Sequence, residues 1–169
     1  QVTVEGETRE LPDPFFVIAT QNPIHQSGTY PLPESQLDRF LMRLELGYPH
    51  PQAERELLMR PRGTGGQQQA SGAPVLDRRI DADQLAAIRQ AVAGVQASDS
   101  LLDYLQRLVA FSRQSAEFAV GLSPRGALAL LDCARTWAVM NNRDHVVPED
   151  IQTVLPAVAA HRLVASGDY

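Results

Sequence analysis

Residues Phe15-Phe16-Val17-Ile18-Ala19 form an unbroken apolar run, closed by Pro14 on one side and by Thr20-Gln21-Asn22-Pro23 on the other. A run of this length without polar alternation fits a strand covered on both faces, the usual state of a strand in a parallel sheet. Such a strand demands neighbours. Before it there is only a short hairpin pattern, with Val2 and Val4 on one arm, Glu5-Gly6 as the turn signal, and Thr8 and Leu11 on the other. After a turn-rich stretch to Pro33, Glu34 to Met42 has a helical pattern, and Leu44-Glu45-Leu46 alternates as a last short strand. A hairpin and one buried strand do not make a stable sheet, so the missing strands are expected upstream of Gln1. The absence of an initiator Met supports the same expectation of a piece of something longer.

From Gln52 the periodicity becomes helical. Gln52 to Arg60 predicts a helix that ends at Pro61, and the Gly/Gln-rich residues 61–72 predict a flexible linker extending to about residue 75. Asp81-Ala82-Asp83-Gln84 has the form of a capping box ahead of an apolar face of Leu85, Ile88, Val92 and Val95. Ser98 can cap a second helix with the face Leu101, Leu105, Leu108 and Ser112, flanked by Leu102 and Val109. Ser123-Pro124-Arg125 is a strong helix start, and Leu128, Leu131, Ala134 and Ala138 are its expected inner face. Pro148-Glu149-Asp150 opens a last helix with the face Ile151, Val154, Leu155 and Val158; Pro156 inside it predicts a kink or break. Val147 stands where a hydroxyl or carboxylate cap is usual, at a cost of about 1 kcal/mol. The expected fold class is therefore α+β. Residues 1–49 form the edge of an α/β core (hairpin, one buried strand, helix), and residues 50–169 an all-α bundle.

Composition narrows the functions. With 44% hydrophobic and 21% charged residues the chain is ordinary globular protein. A net charge of -5, from 15 Lys plus Arg against 20 Asp plus Glu, gives no general attraction to nucleic acid or to anionic membranes. The single cysteine, Cys133, permits no internal disulfide, falls inside a helical pattern as a small hydrophobe, and favours an intracellular, cytoplasmic setting. No apolar run is long enough to cross a bilayer, and Gln1-Val2-Thr3-Val4 is not a signal peptide. His25, His50, His145 and His161 show no metal-ligand spacing with each other or with Cys133, so no metal site is expected. No G-x-x-x-x-G-K-[ST] loop occurs, and Gly63-Thr64-Gly65-Gly66 lacks both the Lys and a following helix. No strand ends in the paired acidic residues that would hold Mg²⁺.

Two blocks are more specific. Residues 15–23, followed by Gly28-Thr29-Tyr30-Pro31-Leu32-Pro33-Glu34-Ser35-Gln36-Leu37-Asp38-Arg39-Phe40, resemble the MoxR branch of the AAA+ ATPases. Gly121-Leu122-Ser123-Pro124-Arg125-Gly126-Ala127-Leu128, Val147-Pro148-Glu149-Asp150-Ile151, Leu155-Pro156-Ala157-Val158 and His161-Arg162-Leu163 resemble that family's helical lid. The resemblance implies a ring ATPase, a hexamer of this chain's parent protein with nucleotide held between subunits. It implies ATP and Mg²⁺ as cofactors of the intact protein, with a phosphate loop and metal site before Gln1 and no tight binding by this stretch alone. It also implies chaperone-like work on a protein client, commonly beside a partner with a von Willebrand factor A domain.

Three residues match functional positions of that family. Asn22 matches sensor 1, whose neutral amide can donate and accept around an attacking water or a γ-phosphate oxygen; the plain alternative is a strand-ending Asn-Pro turn. Arg39 matches the arginine finger, a fixed charge directed at a neighbour's γ-phosphate. Its plain alternative is a helix-terminal Arg paired with Asp38 or Glu34, and Arg43 is the rival for the role. Arg125 matches sensor 2. A cation there opposes the helix dipole, which calls for a functional reason, against the alternative of an ordinary surface Arg; whether it serves its own subunit or the next stays open. The hairpin at 2–11 resembles the family's pre-sensor 1 hairpin, with an ordinary surface hairpin as the alternative. Two other functions compete: a non-catalytic module that binds a partner through the helical lid, and a DNA-associated AAA+ relative, which the acidic balance disfavours.

Overall fold

The computed structural model describes residues 2–21, 32–59 and 80–167. Asn22 and the expected linker at 61–75 lie outside the described residues. The chain opens with an antiparallel hairpin, β1 (Val2–Val4) and β2 (Glu7–Arg9), in the register Val2 to Arg9, Thr3 to Thr8 and Val4 to Glu7. Its two-residue loop needs left-handed backbone at both positions, and Glu5 (φ 52°) and Gly6 (φ 84°) supply it. The expected hairpin is present, with both arms exposed.

The apolar run after it behaves differently from the expectation. Residues 15–19 form no strand, and Phe16 and Ile18 are 75% and 77% exposed. Leu44-Glu45-Leu46 is likewise unpaired, with Leu46 98% exposed. A strand exists only through its ladder, and no described segment offers these residues one. Their composition is that of buried sheet and their surroundings are solvent. Between them lie α1 (Glu34–Leu37), shorter than the helix expected to Met42, and a tight turn in which Arg39 N–H reaches Gln36 O (3.1 Å) and Phe40 N–H reaches Leu37 O (3.0 Å). The next helix, α2 (Pro51–Met59), buries none of its residues.

The second half is a packed helical bundle of α3 (Ala82–Gly94), α4 (Asp99–Gln114), α5 (Pro124–Met140) and α6 (Pro148–Ala159). The caps read from sequence are present. Asp81 and Gln84 exchange both bonds of a capping box (2.7 and 3.2 Å). Ser98 Oγ accepts from Leu101 N–H (3.3 Å) and Ser123 Oγ from Gly126 N–H (3.0 Å). At α6 the cap comes from within: Asp150 Oδ2 accepts from Val147 N–H (2.9 Å), which supplies part of what Val147 cannot. The helix runs through Pro156, so of the expected kink or break the break is absent; Ala160 N–H, at the C-cap, reaches Pro156 O (3.2 Å).

The core joins Leu101, Leu105 and Val109 of α4, Ala129, Leu130, Cys133, Ala134 and Ala138 of α5, and Ile151, Val154 and Val158 of α6. On α4 and α6 the buried face is the one the periodicity predicts. On α5 it is turned: Leu128 is exposed and Leu130 fully buried. Residues 126–131 are apolar throughout, so the pattern alone does not choose a face, and α6 chooses it by packing there. The helix α3 buries none of its residues and Ile88 is exposed; Val95, its C-cap, is buried. Two connections are zipped together by a parallel bridge, in which Gln96 N–H donates to Asp144 O (2.8 Å) and Gln96 O accepts from Val146 N–H (2.9 Å). A small sheet of β3 (Phe118–Val120) and β4 (Val164–Ala165), not foreseen from sequence, closes the C-terminal end.

Candidate functional site

The turn after α1 and the first turn of α5 meet, and each carries an arginine, Arg39 and Arg125. Asp38 sits just before Arg39. Its carboxylate accepts from Ser123 Oγ (3.0 and 2.9 Å to the two oxygens) and from Arg162 Nε (3.0 Å). Ser123 is also the cap of α5, so one hydroxyl accepts from the helix and donates to the carboxylate. A hydroxyl has the capacity for both. Arg125 lies two residues further on.

Arg162 follows α6, and its side chain is 3% exposed. Besides the Asp38 carboxylate it donates to the carbonyls of Asp38 (3.2 Å), Phe40 (2.6 Å), Leu41 (3.1 Å) and Val158. These bonds use all five N–H groups of a guanidinium. A buried charge is tolerated when it is paired and fully hydrogen-bonded, and this one is. Its stem runs past the start of α5, where a Cβ on Gly126 would come within 3.1 Å of Arg162 Cδ. Arg43 N–H adds a backbone bond to Ala157 O (2.9 Å).

His161 Nε2 is 3.2 Å from Phe40 O and 2.9 Å from Arg162 Nη1. With the Nη1 hydrogens committed to Leu41 and Val158, the consistent tautomer has Nε2–H donating to Phe40 O, which leaves Nδ1 buried without a partner. Burial is the main cause that lowers the His161 pKa, assisted by the charges of Arg162 and Arg43. The ring is therefore structural, as expected for this histidine.

Arg39 and Arg125 are both exposed, and among the described residues neither makes an ion pair. Of the two alternative partners expected for Arg39, Asp38 and Glu34, Asp38 is taken by Ser123 and Arg162. Arg39 borders an open groove with Phe15, Phe16, Val17, Ser35 and Gln36. Arg43, the rival, pairs with Glu45 (2.7 Å) at the surface. A second ion pair, half-buried Arg143 with buried Asp150, holds the α5–α6 connection. The hydrogen bond from Arg143 is the main cause that keeps the Asp150 carboxyl below its usual pKa.

Comparison with known proteins decides what this arrangement belongs to. A family model described as ATPase family associated with various cellular activities (AAA) matches residues 1–42, and one described as AAA lid domain matches residues 110–168. Chaperone MoxR1 of Mycobacterium tuberculosis is 36% identical over 176 residues, covering 99% of this chain and 45% of its own. The chain belongs to the MoxR family of AAA+ ATPases. Protein MoxR of Methylorubrum extorquens is 32% identical over 160 residues (87% of this chain, 47% of its own), and the uncharacterized protein YeaC of Bacillus subtilis 40% over 163 (96% and 49%). A crystal structure of a proposed ATPase from Cytophaga hutchinsonii superposes with a TM-score of 0.77 at 33% identity, over 98% of this chain and 51% of that one. The chain spans about half the length of the curated relatives it matches.

The MoxR assignment fits the fold class expected from sequence, a C-terminal α/β edge followed by a helical lid. Intact AAA+ proteins use nucleotide with Mg²⁺. Two exposed guanidinium groups without carboxylate partners among the described residues can meet an anion. The sequence holds no phosphate loop to cradle one. Among the described residues no helix is long and apolar enough to cross a membrane. In sequence Arg162 is legible only as part of a family block, with no role attached. Only a contact between residues 124 positions apart reveals what it does.

Proposed function

We propose that this chain is the C-terminal part of a MoxR-type ATPase, in which ATP binding and hydrolysis between ring subunits drive chaperone-like remodelling of a protein client. In this reading residues 1–49 complete the α/β core and residues 50–169 form the lid. Arg39 is the finger that stabilises charge spreading over a neighbour's phosphate in the transition state. Asn22 is the amide that holds the attacking water, and Arg125 binds phosphate from the start of α5. The ring is a cytoplasmic hexamer, and a von Willebrand factor A domain protein is its partner. When bound, ATP with Mg²⁺ supplies the phosphoryl group whose transfer releases the free energy.

One observation carries the reading. Arg39 and Arg125 are exposed and without ion-pair partners among the described residues, on two segments held together by the Asp38–Ser123 hydrogen bond. In the full-length protein Arg39→Ala is expected to lower turnover by about 10³-fold or more while leaving ATP binding largely intact, because a finger acts on a neighbour's nucleotide. Steady-state phosphate release and fluorescent-nucleotide titration measure the two. A variant that no longer binds ATP would remove Arg39 from this role.

A further inference from the structure

Four of the five bonds of Arg162 have a common target; the fifth, to Val158 O, ties it to α6. Its guanidinium grips the carbonyls of Asp38, Phe40 and Leu41 and the Asp38 carboxylate, the residues on both sides of Arg39, and makes no bond to Arg39 itself. The other ligand of that carboxylate, Ser123 Oγ, caps the helix that carries Arg125. We propose that Asp38, Ser123 and Arg162 are positioning residues: a clamp that fixes the Arg39 turn to the lid, so that the lid's position sets where the Arg39 guanidinium points. This rests on the reading of Arg39 as a finger and adds the means by which its placement is controlled.

The physical case comes from what the clamp spends and what it leaves free. Burying a guanidinium has a desolvation cost that apolar packing would avoid, and the best-attested return on such a cost is a fixed register between two parts. Here the register fixed is that of a short turn against two helix ends. The turn follows a helix of four residues, Glu34–Leu37, with no buried side chain, so it has little rigidity of its own. Held on both sides, Arg39 keeps its backbone fixed and its side chain available. A finger must meet its phosphate oxygen within a fraction of an ångström, and small misplacements cost rate rather than binding.

A pair of substitutions separates this from a merely structural role. Thr and Asp both cap helices well, so Ser123→Thr and Ser123→Asp each preserve the start of α5. Only Thr keeps a hydroxyl to donate to Asp38, whereas Asp sets a second carboxylate against it. In the full-length protein Ser123→Asp is expected to lower kcat for ATP about tenfold or more, with KM within about threefold of wild type, the pattern of an interaction realised in the transition state. Ser123→Thr is expected to keep kcat within about twofold. Arg162→Lys retains a cation beside Asp38 but loses the fork that grips three carbonyls, and is expected to show the same loss of kcat with KM kept; it serves as the second probe should Ser123→Asp fail to fold.

Wild-type kcat in either of these two variants, or a loss confined to KM, overturns the clamp. Arg39→Ala is assayed alongside. If it retains turnover, the reading of Arg39 fails and the clamp with it. If it abolishes turnover while Ser123→Asp and Arg162→Lys stay at wild-type kcat, only the clamp fails.

Discussion

Gly121 lies half-buried between β3 and α5, and its missing side chain is what lets the chain pass. A Cβ there would stand 2.5 Å from Ser112 O and 2.8 Å from the Arg113 Cα, both backbone atoms at the end of α4. Backbone cannot swing aside as a side chain can. Next to it, Ser112 Oγ donates to Val109 O (2.8 Å) and accepts from Leu122 N–H (3.0 Å), so the close approach is pinned by a buried hydroxyl. Gly121→Ala is expected to destabilise the bundle by about 1–3 kcal/mol, the usual cost of overpacking, measured as a shift in the urea midpoint at unchanged slope. The same change at Gly94, where a Cβ meets nothing within 4 Å, is the control and should be near neutral.

At the scale of elements, the link between α6 and the Arg39 turn depends on pH in a direction that can be worked out. His161 titrates below its ordinary 6.5 because burial disfavours its charged form. Below about pH 6.5 the unfolded chain therefore takes up a proton that the folded chain resists, so stability present above that value is lost as pH falls toward the folded pKa. Asp150, also lowered, begins to act only below its ordinary 3.8, so the two windows are separate. Urea unfolding between about pH 7.5 and 5 should show declining stability in wild type and a flatter profile in His161→Gln. An equal slope in both would assign the effect elsewhere. Sequence predicted the elements well where the cause is local: Asp81 with Gln84, Ser98 and Ser123 cap their helices through partners three residues away. It predicted poorly where the cause is distant. The inner face of α5 was ambiguous because residues 126–131 are all apolar, and α6 resolves it. The run 15–19 reads as a buried strand in composition, yet a strand needs partners that no pattern within those five residues can supply.

For the molecule as a whole, the contrast is between a packed lid and an N-terminal stretch whose Phe15, Phe16, Val17 and Ile18 are exposed. Apolar exposure on that scale marks a surface meant to be covered. The sequence singled out Arg39 and Arg125 as candidates, whereas the device joining their segments was not legible in it. Purified residues 1–169 are expected to release no phosphate from ATP above the background rate, since guanidinium groups alone do not assemble a phosphate and metal site; measurable turnover, lost in Arg39→Ala, would contradict this. The bond from Arg162 to Asp38 spans 124 residues, whereas the capped turns and helix pairs of the lid form between near neighbours. Long-range contacts of this kind are assembled late, after local ones have repaid the entropy of closing the chain. A subunit caught with its lid folded but this bond unmade would hold Arg39 loosely. On the reading of Arg39 proposed above, maturation and readiness would then coincide, and an unfinished copy would enter an assembly unable to act on its neighbour.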